Sequence, residues 1–261
     1  MPNAARIEFD RVAFGFGRLP ILEGLSFTAE PGEFLAIVGP NGCGKSTTLK
    51  LMAGLLQPMS GAIRVGEQDI ASLSRKALAR QIALLTQQSF APPNMSVYDL
   101  VAMGRFAHQN LLARRSREDE AQIAGALLAM QVQSLQQRRV GELSGGQLQR
   151  ARMAMTLAQD SAVLLLDEPT TFLDLRYQYS ILERAQEQAR AGRTVVAVLH
   201  DFTQASLFAD RVAVMHEGRM VQIGKPADVL TEDVIAEVFG VRTRAVLAHG
   251  AVFHVPESQA R

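Results

Sequence analysis

Apolar and polar residues alternate through "RIEFDRVAFGF" and again through "LSFTAEPGE", the period-two pattern of half-buried antiparallel strands. The pattern then becomes unbroken apolar runs. "FLAIV", "AVLLL" and "TVVAVL" are short, and read as strands covered on both faces. "GAIRVGEQDI" predicts a short strand and turn, "RKALARQIALLTQQ" a helix running into a strand, and "RVAVMHEGRMVQIG" a hairpin turning at Glu217-Gly218. Between the first and second runs the period becomes helical. "SVYDLVAMGRFAHQ" opens with Ser96 and has Asp99 three residues on, and "SREDEAQIAGALLAM" repeats this with Ser116 and Asp119, both capping-box spacings. A third helix opens at Ser144. "PADVLTEDVIAEVFGV" predicts two short helices near the end.

These elements predict an α/β architecture, with a parallel sheet and an antiparallel N-terminal part. Residues 1–88 and 159–222 form its core, 89–158 a helical insert, and 223–261 a short C-terminal helical extension. No internal repeat or low-complexity linker interrupts it. The apolar runs fall far short of the roughly 20 residues that span a bilayer, and "MPNAARIEFD" lacks the apolar stretch of a signal peptide.

Composition narrows the picture. With 261 residues, 48% hydrophobic and 20% charged, the chain is globular. Its net charge of +1, from 27 basic and 26 acidic residues, gives no electrostatic footprint for a nucleic acid. The run Arg114, Arg115, Arg117 is followed by Glu118, Asp119 and Glu120, which reads as a solvated helix face. A single cysteine, Cys43, excludes an internal disulfide and fits a reducing compartment.

Two stretches carry phosphate chemistry. "GPNGCGKST" comprises Gly39, Pro40, Asn41, Gly42, Cys43, Gly44, Lys45, Ser46 and Thr47, and matches G-x-x-x-x-G-K-[ST] between a strand and a helix. The glycines let backbone N–H groups wrap the phosphates of a nucleotide. Lys45 neutralises the β and γ groups, and the Ser46 hydroxyl ligates Mg²⁺. Cys43 reads as a small tolerated residue of the loop. "ELSGGQLQR" is the second stretch. Ser144 and Gln147 make a capping box, which leaves Gly145 and Gly146 unexplained, because a cap needs no glycine after it. Bare backbone at a helix N-terminus admits an anion closely.

Strand ends supply the remaining chemistry. Asp167 closes an apolar strand and can hold Mg²⁺ through water; Glu168 follows it and can orient and deprotonate an attacking water. His200, at the end of "TVVAVLH", would contact the γ-phosphate from a neighbouring strand. Gln87, ending "IALLTQ", is a similar candidate.

In order and spacing these motifs resemble the ATP-binding subunit of an ABC transporter, over nearly the whole chain, with "LSGGQ" at 143–147 the most specific element. The resemblance implies an ATP-hydrolysing, Mg²⁺-dependent homodimer packed head to tail. Ser144, Gly145 and Gly146, with Gln147 behind them, would grip the γ-phosphate of the partner's ATP. It also implies that Gln87 touches Mg²⁺ and senses a membrane subunit, and that Asp174, ending "TFLD", crosses the dimer interface. His200 would be the switch histidine, and Phe16 would stack on adenine where the family usually has Tyr.

"SVYDLVAMGRFAHQ", "TTFLDLRYQ" and "VLHDFTQASLFADRV" look like the ATPases of bacterial ferric siderophore importers, with haem and cobalamin importers near and zinc and manganese importers further off. Such a protein would sit on the cytoplasmic face of the inner membrane. It would contact a permease dimer around 87–108 and be served indirectly by an extracytoplasmic binding protein. The family commonly has proline where Thr86 and Ala107 stand. The compact insert and near-neutral charge argue against a soluble ABC protein of translation or DNA repair. "LSGGQ" argues against a metabolic P-loop kinase.

Overall fold

The computed structural model describes residues 4–17, 19–87, 91–109, 115–171, 173–248 and 250–257. The alternating N-terminal segments pair as predicted. β1 (Ile7–Phe16) lies between β2 (Leu19–Ala29) and β4 (Ser60–Val65), and β5 (Gln68–Asp69) completes an antiparallel sheet of order β2-β1-β4-β5.

The apolar runs build a second sheet. Its strands are β3 (Phe34–Val38), β6 (Ile82–Leu85), β7 (Val163–Asp167), β8 (Thr194–Val198), β9 (Arg211–His216) and β10 (Arg219–Gly224), in the order β10-β9-β3-β8-β7-β6. All neighbours are parallel except β9 and β10, which form the hairpin turning at Glu217 (φ 45°) and Gly218 (φ 77°). Every residue of β3, β7 and β8 is buried, which is why these strands read as continuous rather than alternating.

Side-chain alternation along β3 divides the core. Leu35 and Ile37 pack with α1 (Lys45–Met52) and the antiparallel sheet. Phe34, Ala36 and Val38 face α6 (Leu175–Arg190), α7 (Phe202–Phe208) and the helical insert. That insert contains α3 (Val97–Ala102), α4 (Arg117–Ala129) and α5 (Gly145–Ala158), and a short α2 (Arg75–Gln81) leads into β6. Ser116 and Ser144 each form a full capping box, with Asp119 and Gln147 respectively. Ser96 accepts from Asp99 N at 3.0 Å, while its hydroxyl donates to the Asp99 carboxylate.

Two expectations need correction. The C-terminal extension contains α8 (Pro226–Val229) and α9 (Glu232–Phe239), but it ends in a β-hairpin, β11 (Thr243–Ala248) with β12 (Ala251–Pro256). Val246, Val252, Phe253 and Val255 favour extended backbone, and Gly250 turns the chain at φ 79°. The acidic run after Ser116 is also not uniformly solvated. Asp119 is buried and paired with Arg105 at 2.8 Å, whereas Glu118 and Glu120 are exposed. Arg114 lies outside the described residues.

Candidate nucleotide site

Strand order brings the motifs together. β7 lies between β6 and β8, and Asp167 is in register with Val198. The carboxyl ends of β3, β6, β7 and β8 therefore carry the phosphate loop, Gln87, Asp167-Glu168 and His200 to one edge of the sheet, where open α/β sheets bind ligands.

Glycine lets the loop between β3 and α1 close. Gly44 adopts φ 103°, and a Cβ there would meet Leu22 Cδ2 at 2.6 Å; Gly42 adopts φ 81°. No side chain caps α1, whereas Ser or Asp side chains cap α3, α4, α5, α6 and α7. The first amides of α1 are thus left to an anion. Lys45 is folded onto the loop, donating from Nζ to the carbonyl oxygens of Gly39 and Pro40, each at 2.8 Å. Cys43 is buried, and that burial pushes its thiol up against the opposing pull of Lys45. It packs the loop from within, as a small residue would.

Ser46 Oγ donates to Asp167 Oδ1 at 2.8 Å. Asp167 is 4% exposed, and burial pushes its carboxyl above the ordinary carboxylate value. The Ser46 hydroxyl pulls the other way, Glu168 adds to the rise, and Lys50 and Lys45 oppose it. A costly negative charge beside a hydroxyl is a donor pair suited to a hard divalent cation that also takes phosphate oxygens.

Glu168 is the hub of the site. His200 Nε2 lies 2.6 Å from its Oε1, and Gln87 Nε2 donates to its Oε2 at 2.6 Å. Thr171, which sequence reasoning did not single out, donates from Oγ1 to the same Oε2 at 3.2 Å. Its spacing of three residues from Glu168 was the available signal. The strand-end candidates thus meet on one carboxylate.

The second glycine stretch is elsewhere. Among the described residues no hydrogen bond joins 144–147 to the phosphate loop. A Cβ on Gly145 would meet nothing within 4 Å, and one on Gly146 would lie 3.5 Å from Leu173 Cδ2. Nothing among the described residues requires either to be glycine. Asp174 caps α6, accepting from Tyr177 N at 3.1 Å. Phe172 of "TFLD" lies outside the described residues.

Phe16 ends β1, is 58% exposed and meets Phe14 edge to face at 5.0 Å. Within 87–108, Met103 and Phe106 are exposed, while Ala107 is buried and its carbonyl accepts from Arg80 Nε at 2.8 Å. Residues 88–90 lie outside the described residues. None of the helices described is long and apolar enough to cross a membrane.

A phosphate loop feeding a helix, with an acidic pair at the end of the next strand but one, defines a P-loop nucleotide hydrolase. Residues 22–171 match the ABC transporter family, and the chain belongs to it as its nucleotide-binding, ATP-hydrolysing part. It is 40% identical over 241 residues to the ferric enterobactin transport ATP-binding protein of Escherichia coli (strain K12), an alignment spanning 92% of this chain and 89% of that one. It is 36% identical to the hemin import ATP-binding protein of Rhodopseudomonas palustris (strain BisB5), covering 91% and 92%. A solved metal-chelate type ABC transporter in an inward-facing conformation superposes with a TM-score of 0.84 at 28% identity, over 98% of each chain.

Proposed function

We propose that two copies of this chain pack head to tail, hydrolyse Mg²⁺-ATP between them, and drive a membrane permease that imports a ferric siderophore. The observation that carries the hydrolytic part is the Glu168 carboxylate, shared between Gln87 and His200 beside the Ser46–Asp167 pair. The cargo reading draws on the siderophore-importer resemblance and on the 40% identity to a ferric enterobactin transport protein.

In this reading the α1 amides and Lys45 hold the β- and γ-phosphates, the lysine giving up the Gly39 and Pro40 carbonyls. Ser46 and Asp167 would hold Mg²⁺, which offsets phosphate charge. Glu168 accepts a proton from the attacking water as its oxygen bonds to the γ-phosphorus. The bond from that phosphorus to the β–γ bridging oxygen breaks, and ADP leaves. Gln87 and His200 orient Glu168 and the γ-phosphate. Ser144, Gly145 and Gly146 of the second copy complete the anion site from outside, consistent with glycines that no described neighbour in their own chain requires. Phe16 stacks on adenine and Asp174 meets the facing subunit. Closure does work because ATP binds the closed pair better than the open one. In the same reading the exposed Met103 and Phe106 belong to the surface that meets the permease, and the protein works at the cytoplasmic face of the membrane.

The test is Glu168→Gln in the native cell and in purified protein. Turnover should stop and ATP should trap a closed dimer, with ferric siderophore uptake lost while haem, cobalamin and zinc enter normally. Hydrolysis at the wild-type rate would sink the mechanism. Intact siderophore uptake with loss of another cargo would move the transport assignment to that cargo.

A further inference from the structure

We propose that Gln149 is a positioning residue for Glu168, and that through it the helix presenting Ser144–Gly146 to a partner's nucleotide holds the catalytic carboxylate of its own chain. The inference rests on the reading of Glu168 as the general base.

Five non-glycine residues among those described have positive φ. Arg11 lies at an irregularity in the β1–β2 pairing, and Glu217 is in the β9–β10 turn. Gln131 and Asp160 come two residues after the ends of α4 and α5, where helices commonly finish left-handed. Glu168, at φ 50°, has no such setting. It follows a fully buried strand and precedes Pro169, and a residue before proline is pushed toward extended backbone. A bulky residue stays in such a conformation only where its surroundings over-determine it.

One of those surroundings comes from α5. Gln149 is 8% exposed, and its Nε2 donates to the Pro169 carbonyl at 3.1 Å. That bond grips the backbone one peptide past Glu168. Gln149 lies one turn beyond Gly145 on the same helix. Its neighbour Arg150 reaches the start of α6, with its guanidinium 4.5 Å from the Tyr177 ring centre, and ties α5 separately to the end of α4, with Nη1 bonded to the Gln131 carbonyl at 3.2 Å. The far end of the segment is held similarly. Gln178 Nε2 donates to the Leu173 carbonyl at 2.9 Å, and Gln204 of α7 donates to Gln178 Oε1 at 2.7 Å. A shift of α5 when its N-terminus meets an anion is therefore delivered to the Pro169 carbonyl, and so to the conformation of Glu168. Engagement of one nucleotide would then set the base acting on the other.

The experiment compares steady-state Mg²⁺-ATP hydrolysis by the full chain carrying Gln149→Met, which keeps the length and loses the donor, with Gln149→Glu and Glu168→Gln. The inference expects Gln149→Met to lower kcat by about tenfold to a hundredfold with KM for ATP within about twofold. Gln149→Glu should be inactive while its carboxylate opposes the Pro169 carbonyl, and its activity relative to wild type at the same pH should recover as falling pH protonates it and restores a donor. Wild-type kcat in Gln149→Met overturns the inference, as does loss of ATP binding and thermal stability with no acid recovery in Gln149→Glu. Hydrolysis surviving Glu168→Gln would instead remove the reading of Glu168 itself, whatever Gln149 does.

Discussion

His200 Nε2 and Glu168 Oε1 meet at 2.6 Å across the ends of β8 and β7. The imidazole occupies one carboxylate oxygen, and Gln87 donates to the other. Both oxygens of the proposed base are therefore engaged before nucleotide arrives, and binding must redistribute these bonds. His200→Ala is expected to lower kcat by roughly 10² or more. The His200 side chain is 44% exposed, so the melting temperature should barely move. Parallel ATPase and thermal-melt measurements on the one variant check both halves.

Asp167 should behave as a charge tolerated for ligand binding. Its folded carboxyl is raised above the ordinary 3.8, so the folded chain holds this proton to higher pH than the unfolded chain does. Asp167 therefore costs stability progressively as pH rises through the window between 3.8 and its raised value, and the cost persists at neutral pH. Asp167→Asn removes the charge and keeps an acceptor for Ser46. The variant should melt higher than wild type without nucleotide at pH 7 and lose Mg²⁺-dependent hydrolysis. A lower melting point would contradict the argument.

Gly145→Ala and Gly146→Ala should separate stability from function. Each position has room for a methyl group, and alanine favours a helix over glycine by about 0.5–1 kcal/mol. Denaturant titration should show each variant at least as stable as wild type. ATP-induced dimerisation in the Glu168→Gln background should nonetheless weaken, since the methyl group stands where a partner's phosphate would approach. Undiminished dimerisation would return these glycines to a role within their own chain.

Arg105 and Asp119 form a pair 3% and 6% exposed, with Arg105 Nη1 also bonded to the Ala158 carbonyl at 2.8 Å. Burial pushes the Asp119 carboxyl up, but Arg105 and the donors of Ser116 outweigh it and hold it below the usual range. The resulting stability is present above pH 3.8 and is lost as pH falls through the lowered value. Arg105→Ala strands a buried carboxylate and should cost about 3–5 kcal/mol. Chemical denaturation at neutral and acid pH would show that deficit shrinking as Asp119 becomes protonated.

These contrasts explain which features were legible in the sequence. The phosphate loop from Gly39 to Thr47 was readable because its strand, turn and helix are contiguous and each glycine answers a local geometric demand. The caps at Ser116 and Ser144 were readable for the same reason. Gln87, Glu168 and His200 are each readable as polar residues at strand ends, but their meeting on one carboxylate depends on the order of β6, β7 and β8 in the sheet, which strand-end spacing does not give. Asp119 was misjudged because its charge pattern says "surface", while the residue that buries it arrives from the segment after α3. Gln149 was passed over because its partner is a proline carbonyl, and no residue type announces a carbonyl. The terminal hairpin is hidden in the sequence because the helical signal of α9 masks a new extended pattern that begins only four residues after it.

The position of β3 in the sheet also bears on how the protein is made. β3 launches the phosphate loop, yet both of its neighbours, β8 and β9, come from the last third of the chain, and the Phe34 amide waits for Asp210, 176 residues later, to supply its acceptor. At about 5–20 residues per second, translation leaves the strand without either flank for roughly 10–35 seconds. β1 and β2 can pair almost at once, but the nucleotide site cannot begin to assemble until synthesis is four-fifths complete. A nascent chain with five consecutive apolar residues unpaired for that long is a natural client for a chaperone, and a truncation before β9 should yield aggregate in place of a smaller ATPase.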